Sequence, residues 1–186
     1  MTRDNLRGRQ RSKTGDDGHP KEVCRSRSYA LATEAKNMNK RQALLLALLA
    51  ADDEGTVNGR TRLQKLVFLA QEEFSDDLNA SEYEFYPYHY GPFSKDLLND
   101  IEALEQAGLV SERNIDLQRG EKYIYELEDD GRDELRQFLS TLSPSDRQEI
   151  EERAELVETN FNDISVSRLL EYVYNQYESY AEESVL

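Results

Sequence analysis

The sequence predicts a mainly α-helical protein with a small β-hairpin. Apolar residues recur at helical spacing from about residue 39 onward. One helical pattern ends at Leu104-Glu-Gln-Ala-Gly-Leu-Val110. Two alternating segments follow it and can pair as a hairpin. Further helical patterns follow that hairpin. This order indicates a winged-helix-like domain with a C-terminal helical extension.

The first two predicted helices supply much of the expected core. Residues 39–52 are rich in Ala and Leu, which favours a helix, and Gly55 and Gly59 then break the pattern. The second helix is predicted over 61–74, and its i, i+3, i+4, i+7 stripe indicates a largely buried, central element. That stripe consists of Leu63, Leu66, Val67, Ala70 and Phe74.

An aromatic segment separates the second helix from the third. Residues 82–90 alternate, but Pro87 cannot donate to a ladder, so an edge strand or extended loop is expected, ended by Gly91-Pro92. The third helix is predicted over 93–107, with Gly108 as its C-terminal stop. Its expected buried face comprises Phe93, Leu97, Ile101, Leu104 and Ala107.

A hairpin and three helices complete the predicted order. Residues 110–118 and 122–128 pair across Arg119-Gly120, and Ser143-Pro144 opens a helix with proline at its first position. The last helix is predicted over 165–182. The expected buried residues are Tyr123, Tyr125 and Leu127 in the hairpin, Leu135, Phe138 and Leu139 in the first of these helices, Ile150, Ala154, Val157 and Phe161 in the second, and Leu169, Leu170 and Val173 in the third.

Charge divides the chain into unequal parts. Residues 1–37 hold nine Lys/Arg and five Asp/Glu and show no helical or strand period before about Tyr29, so a disordered basic tail is expected. This tail is either a nucleic-acid-binding arm or an extension upstream of a true start at Met38. The winged-helix-like domain is assigned to 38–142 and the helical extension to 143–186.

The acidic composition predicts a halophilic protein. The formal net charge is -15, and only seven of the 23 basic residues are Lys. Surplus carboxylates with little Lys are typical of a haloarchaeal cytoplasm, where molar salt reduces the Debye length to about 3 Å. Acidic pairs such as Glu72-Glu73, Asp129-Asp130 and Glu151-Glu152 are therefore interpreted as solvated faces, and not as acid/base pairs or calcium ligands.

The sequence also limits the chemistry that we expect. A single cysteine, Cys24, leaves no intramolecular disulfide or cysteine-based metal site, and no run of about 18 apolar residues is present. His89 has no sequence marker for a nucleophile or an orienting third group beside it. We expect a cytoplasmic protein that is not an enzyme and that uses neither a metal nor another cofactor.

Two motifs resemble a known family. Arg62-Leu-Gln-Lys-Leu-Val-Phe-Leu-Ala-Gln71, followed by an aromatic segment with Tyr90-Gly-Pro92, is similar to the Panacea domain, the SocA-like antitoxin family, and to YwgA-type proteins. The similarity covers roughly residues 40–140. It implies a non-enzymatic helical domain that binds a protein, in some relatives a toxin, and that has no cofactor. We therefore expect a regulatory, antitoxin-like protein.

Three groups of residues are candidates for partner binding. Arg60, Arg62 and Lys65 form a basic cluster at a helix start, where a phosphate or an acidic side chain could dock. The alternative is that these cations pair with neighbours such as Asp52, Asp53 and Glu54. The other candidates are the aromatic trio Tyr88, His89 and Tyr90 and the C-terminal pair Tyr174 and Tyr177.

For the aromatic candidates, a structural role is the alternative to partner binding. His89 either makes a structural hydrogen bond or contacts a partner. Tyrosine is favoured at interfaces because it buries a large area with little rotamer entropy, so Tyr174 and Tyr177 are predicted to contribute to a homodimer or to a partner interface. Intramolecular packing of these two tyrosines is the alternative.

DNA binding is the second functional hypothesis. It would use Lys95 on the third helix and Arg119 and Lys122 on the hairpin. The exposed side of 93–107 is expected to set Lys95 against four acids, a net charge of -3 that repels phosphates. Those acids are Asp96, Asp100, Glu102 and Glu105. Protein binding is therefore the favoured hypothesis.

Composition alone predicts a dependence on salt. Residues 38–186 carry 14 Lys/Arg and 33 Asp/Glu, so their net charge is -19 and they repel one another once screening is removed. Helical circular dichroism should fall as KCl is lowered from about 1 M to about 0.02 M. A chain that stays folded in dilute buffer would contradict the halophile interpretation.

Overall fold

The computed structural model describes residues 38–73, 83–117 and 120–181, a mostly helical body with a small antiparallel sheet, which confirms the predicted secondary-structure class. The predicted basic tail, Phe74 and Arg119 lie outside the described residues. The helices are α1 (Lys40–Ala51), α2 (Arg60–Glu72), α3 (Lys95–Gln106), α4 (Asp129–Thr141), α5 (Pro144–Val157) and α6 (Val166–Gln176). A π-helix, Glu158–Asn162, continues α5, and a 3-10 turn, Glu178–Tyr180, follows α6.

Five strands form two small sheets. They are β1 (Thr56–Asn58), β2 (Tyr86–Tyr88), β3 (Gly91–Phe93), β4 (Val110–Leu117) and β5 (Gly120–Leu127). The larger sheet has the antiparallel order β1-β5-β4, and β2 pairs only with β3 among the described strands.

Strand β1 was not predicted. It lies between Gly55 and Gly59, which the sequence analysis took only as a helix break, and Val57 lies opposite Tyr125 of β5. Gly55 and Gly59 have φ values of 70° and 104°, which favour glycine, so they are the corners that turn the chain into and out of β1. Three residues are too few for an alternating pattern to be visible in the sequence.

The start of the third helix was predicted too early. Phe93 is the last residue of β3, paired with Tyr86, and therefore is not part of the helix. Ser94 caps α3, since its hydroxyl accepts a hydrogen bond from the Leu97 amide at 3.3 Å. The cap accounts for the boundary, because a serine at this position satisfies a helix amide that has no partner within the helix.

One hydrophobic core joins α1 and α2 to the helices that follow the sheet. Every residue from Ala43 to Leu49 is buried, as is every residue from Leu63 to Gln71. Helix α1 packs against α4 and α5, and α2 packs against α5 and α6. Fully burying a leucine side chain contributes about 2 kcal/mol, so α1 is a main source of the stability of the fold.

The last predicted helix is shorter than expected. Helix α6 ends at Gln176, and Tyr177 has φ -129° and ψ 67°, outside the helical region. The chain then makes the 3-10 turn, which brings Tyr177 and Tyr180 edge-on to Phe68 at centroid distances of 4.9 and 5.0 Å. Aromatic packing on α2 therefore accompanies the early end of the helix.

Candidate functional site

Helix α2 carries three polar side chains on its buried surface. Gln64, Lys65 and Gln71 are 2%, 2% and 4% exposed. Each of the three bonds to the backbone of the chain that returns between residues 83 and 94. We call these three residues the polar clamp.

The two glutamines of the polar clamp bind peptide groups in the manner of a neighbouring strand. Gln64 Nε2 donates to the Ser94 carbonyl at 2.9 Å, while its Oε1 accepts from the Ser94 amide at 2.8 Å. Gln71 repeats this pair of bonds with Tyr83, at 3.1 and 3.0 Å. Gln64 and Gln71 lie seven residues apart, about two helical turns, and therefore on one face of α2.

The lysine of the polar clamp holds the returning chain near its second end. Lys65 Nζ donates to the Pro92 carbonyl at 2.9 Å. Burial lowers the pKa of Lys65 from 10.5 to about 7, because the charged form loses its hydration. Near neutral pH the ammonium and the neutral amine are both populated, and either form can donate to Pro92.

Between the clamped ends, the chain forms a hairpin rich in aromatic residues. It consists of β2, the turn His89-Tyr90 and β3, and we call it the aromatic hairpin. Gly91 has φ 78° at the end of the turn, and a Cβ there would lie 3.0 Å from the Tyr174 ring. Glycine is therefore required both for the turn and for the contact with α6.

The aromatic hairpin exposes an unusual amount of ring surface. Tyr86, Tyr88 and Tyr90 are 42%, 44% and 46% exposed, and they are three of the five exposed large hydrophobic residues in the described part of the chain. From Phe85 to Ser94 there is no Asp, Glu, Lys or Arg, although 33% of the whole chain is charged. This patch is both aromatic and free of those charges.

The rings of the hairpin contact one another in a connected series. Tyr86 lies edge-on to Tyr88 and to Phe93, with centroid distances of 6.4 and 5.5 Å. The ring of Tyr88 also lies 5.1 Å from that of Phe93. His89 stacks on Tyr88 at 4.4 Å with an angle of 13° between the planes. These contacts fix the rings relative to one another while leaving their outer faces exposed.

A buried carboxylate fixes Tyr83, at the start of the returning chain, a second time. The Tyr83 hydroxyl donates to Asp100 at 3.0 Å, and Arg41 donates to the same carboxylate at 2.7 Å. Burial, with Asp100 beside it, raises the pKa of Tyr83 well above 10, so the phenol keeps the proton that it donates. Tyr83 is thus held by its backbone through Gln71 and by its side chain through Asp100.

Asp100 corrects an expectation about α3. The sequence analysis placed this residue on the exposed side of the third helix, but Asp100 is only 8% exposed and pairs with Arg41. Lys95, Asp96, Glu102 and Glu105 are exposed, as expected. The net charge of this exposed set is therefore -2, one unit less negative than predicted.

The predicted basic cluster does not form a common surface. Arg60 donates to the Tyr125 hydroxyl and to Glu112, at 3.1 and 3.2 Å. Burial opposes the charge of Arg60, but these partners outweigh it and raise its pKa. Lys65 faces the interior. None of the bonds described for these residues involves Asp52, Asp53 or Glu54, the predicted neighbours.

Arg62 holds the π-helix instead of an external anion. Its guanidinium donates to three backbone carbonyls, those of Phe161 at 3.3 Å, Asn162 at 2.6 Å and Ile164 at 2.7 Å. Burial lowers the pKa of Arg62, an effect that Asp163 partly offsets. The carbonyls at a helix end need such donors, so the Arg62 side chain serves to tie α2 to the end of the π-helix.

The C-terminal tyrosines are half-buried within the chain. Tyr174 and Tyr177 both pack against the hydrophobic core. Tyr172 also lies there, and its hydroxyl donates to Glu73 at 2.6 Å. These contacts favour the intramolecular alternative for the packing of Tyr174 and Tyr177, whereas Tyr88, His89 and Tyr90 are exposed as a partner-binding role requires.

The other sequence candidates are dispersed. Lys95 and Lys122 are exposed, on α3 and β5 respectively. Within 38–73, 83–117 and 120–181, no group of three or more His, Cys, Asp or Glu side chains is placed to hold a metal ion. In the same residues no helix has both the length and the apolar character of a membrane span.

Sequence reasoning did not identify Gln64, Gln71 or Asp100 as residues that position the site. A signal for the two glutamines was present, because both lie in a helix that was predicted to be largely buried, on either side of the apolar residues 66–70. A polar side chain on the buried surface of a helix must have a partner. The partners here are backbone groups, which the sequence does not distinguish.

Comparison with known proteins leaves the family unassigned. The chain matches no protein-family model, and no curated protein is significantly similar to it. The similarity to Panacea proteins therefore stays a prediction that depends on the motifs in α2 and the aromatic hairpin.

Replacing a clamp glutamine should destabilise the protein. In Gln64→Leu, the Ser94 amide and carbonyl lose their partner in the interior, so the free energy of unfolding should fall by about 3 kcal/mol. Gln148→Leu, on the exposed surface of α5, is the matched control and should change it by less than about 0.5 kcal/mol. Urea unfolding in molar salt measures both. Equal effects of the two changes would contradict the role of the clamp.

The buried lysine should make stability depend on pH. With a folded pKa of about 7 and an unfolded value near 10.5, Lys65 binds fewer protons when folded between these pH values, so stability rises with pH across that window. The free energy of unfolding of the natural chain minus that of Lys65→Met should increase by up to about 1.4 kcal/mol per pH unit between pH 7 and 10. A difference that does not change with pH would show that Lys65 keeps its ordinary pKa.

Proposed function

We propose that this protein is a non-catalytic regulatory interaction module of the cytoplasm, antitoxin-like, and that it binds a protein partner through the aromatic hairpin. The observation that carries the proposal is the exposure of Tyr86, Tyr88 and Tyr90 on a patch without Asp, Glu, Lys or Arg. Exposed aromatic clusters on folded proteins are typical of interaction sites, because leaving such surface in water is unfavourable.

The way the hairpin is held supports this proposal. Its two ends are fixed by buried bonds from Gln64, Lys65 and Gln71, and its rings contact one another. A surface that is already ordered loses little conformational entropy when a partner binds. The exposed tyrosines are thus presented by a rigid support, as an interaction site needs.

We further propose a winged-helix-like fold for the part up to β5. Its support is the order α1, β1, α2, β2, β3, α3, β4, β5 with β1 next to β5, in which the aromatic hairpin is inserted between α2 and α3 and the β4–β5 hairpin takes the place of the wing. The resemblance to Panacea antitoxins is part of the same proposal, because its two motifs coincide with the polar clamp and the aromatic hairpin.

The DNA-binding hypothesis keeps Lys95 and Lys122 as its exposed contacts. Both lie on the elements that a winged helix uses for DNA, α3 and the β4–β5 hairpin. Against it, the exposed Asp96, Glu102 and Glu105 would face the phosphates and repel them. Protein binding therefore stays the favoured function.

The proposal is tested by recovering the partner from cells of the source organism. Tagged full-length chain, the double variant Tyr86→Ser with Tyr88→Ser, and Ile115→Ser are purified in molar salt, and bound proteins are quantified by mass spectrometry. Ile115 is 42% exposed on β4, so its replacement is the matched control. A specific partner should be retained by Ile115→Ser and reduced at least about tenfold by the double variant.

Two results would contradict the proposal. One is a specific partner that the double tyrosine variant retains in full. The other is a sequence-specific shift of DNA from upstream of the gene that Lys95→Glu weakens, because a lost phosphate contact of this kind would establish the DNA-binding alternative.

A further inference from the structure

We propose, building on the function above, that the aromatic hairpin binds a short, uncharged, proline-containing segment of its partner in the polyproline II conformation. Four properties of the patch support this ligand: its backbone edge, its charge, its area and the arrangement of its tyrosine side chains.

The backbone of the hairpin is poorly suited to an added strand. Pro87 and Pro92 lie directly opposite each other, and neither has an amide hydrogen, so they form a pair without mutual hydrogen bonds. Backbone groups of such a pair point away from the hairpin. Pro92 directs its carbonyl to Lys65 on one side. On the other side Pro87 presents a carbonyl but no donor, so an added strand would find only half of a bonding pair there, and side chains offer the better contact.

The charge of the patch argues against a charged ligand. Residues 85–94 contain no Asp or Glu to pair with a basic peptide, and no Lys or Arg to pair with an acidic peptide or a phosphate. The whole chain has a net charge of -15, which repels nucleic acid. An uncharged segment has no hydrated charge to give up when it binds to these rings. It is therefore the ligand that matches the patch best.

The area of the patch fits a short segment better than a second copy of the chain. With 42% to 46% of each side chain exposed, Tyr86, Tyr88 and Tyr90 together offer roughly 300 Å². A stable protein interface buries about 800 Å² on each partner. Three tyrosines are therefore too few for a stable dimer, but they are sufficient for a few residues of an extended peptide.

A polyproline II segment complements the rings and hydroxyls of the exposed tyrosines. The Tyr86 and Tyr88 rings are nearly perpendicular, at 81°, so they present two angled aromatic surfaces on which pyrrolidine rings can pack. The tyrosine hydroxyls can donate to the carbonyls of the segment, whose prolines have no amide hydrogen that would need an acceptor. This helix is also largely formed before binding, which keeps the entropic cost small.

The inference is tested with a decaproline peptide and the full-length chain labelled with ¹⁵N, in molar salt. Peptide is added to about 1 mM, and a Gly-Ser decamer of equal length is the control ligand. Decaproline should shift the amide signals of Tyr86, Tyr88, His89 and Tyr90, and the Gly-Ser decamer should not. The double variant Tyr86→Ala with Tyr88→Ala should raise the Kd at least tenfold, whereas Ile115→Ala should leave it unchanged.

A second variant guards against a folding defect. Tyr90→Ala removes the most exposed of the three tyrosines and should also raise the Kd, with circular dichroism unchanged. Equal responses to both peptides, an unchanged Kd in both tyrosine variants, or no response to decaproline would overturn the inference. Hairpin signals that shift with the concentration of the chain alone would identify a second copy as the occupant and overturn it as well.

The two levels of the proposal can fail separately. If decaproline does not bind, but recovery of a cellular partner still depends on Tyr86 and Tyr88, the interaction function stands and only the proline chemistry is wrong. If decaproline binds at the hairpin, but the cellular partner does not depend on these tyrosines, the peptide site is real and the proposed function is wrong.

Discussion

The position of the aromatic hairpin in this protein depends on the hydrogen bonds that α2 makes with peptide groups of residues 83–94. Gln64, Lys65 and Gln71 stand where apolar residues would otherwise complete a buried helix, and each satisfies backbone groups that are shielded from water. Unpaired peptide groups in an interior cost about 1–3 kcal/mol each. The helix can therefore hold a short hairpin that contains two prolines, which could not extend a larger sheet there.

The aromatic hairpin follows from that arrangement. Because both ends of residues 83–94 are held, the chain between them turns back at His89-Tyr90, with β3 held to α2 through Pro92 and the tyrosines of β2 and the turn exposed. Asp100 adds support from α3. Its carboxylate accepts hydrogen bonds from the Tyr83 hydroxyl and from Arg41, which lie in two other parts of the chain. The exposed patch is therefore supported by α1, α2 and α3 together, and its shape is set by groups that a partner does not touch.

The sequence predicted the helices well because their signals are local. Apolar spacing, Ser143-Pro144 and Gly108 gave most helix positions, and the alternation of Tyr123, Tyr125 and Leu127 gave the main hairpin. The short β1, the strand at Phe93 and the end of α6 at Gln176 depend on partners distant in sequence, so local patterns could not show them. The same limit applies to the site: Tyr88 and Tyr90 were identified as part of an aromatic cluster, but Tyr86 and the inward direction of Lys65 and Asp100 were not.

The bonding mode of the clamp also affects how relatives of this protein can be recognised. Gln64 and Gln71 bind peptide groups, and every residue type except proline presents the same amide and carbonyl. Replacing residue 83 or residue 94 by another residue other than proline therefore does not require a change of the glutamine that binds it. The two sides of each contact are free to evolve independently. In an alignment of relatives, these contacts should produce constant glutamines without correlated changes at positions 83 and 94. Methods that infer spatial proximity from paired substitutions would pass over the contacts that hold the hairpin in place.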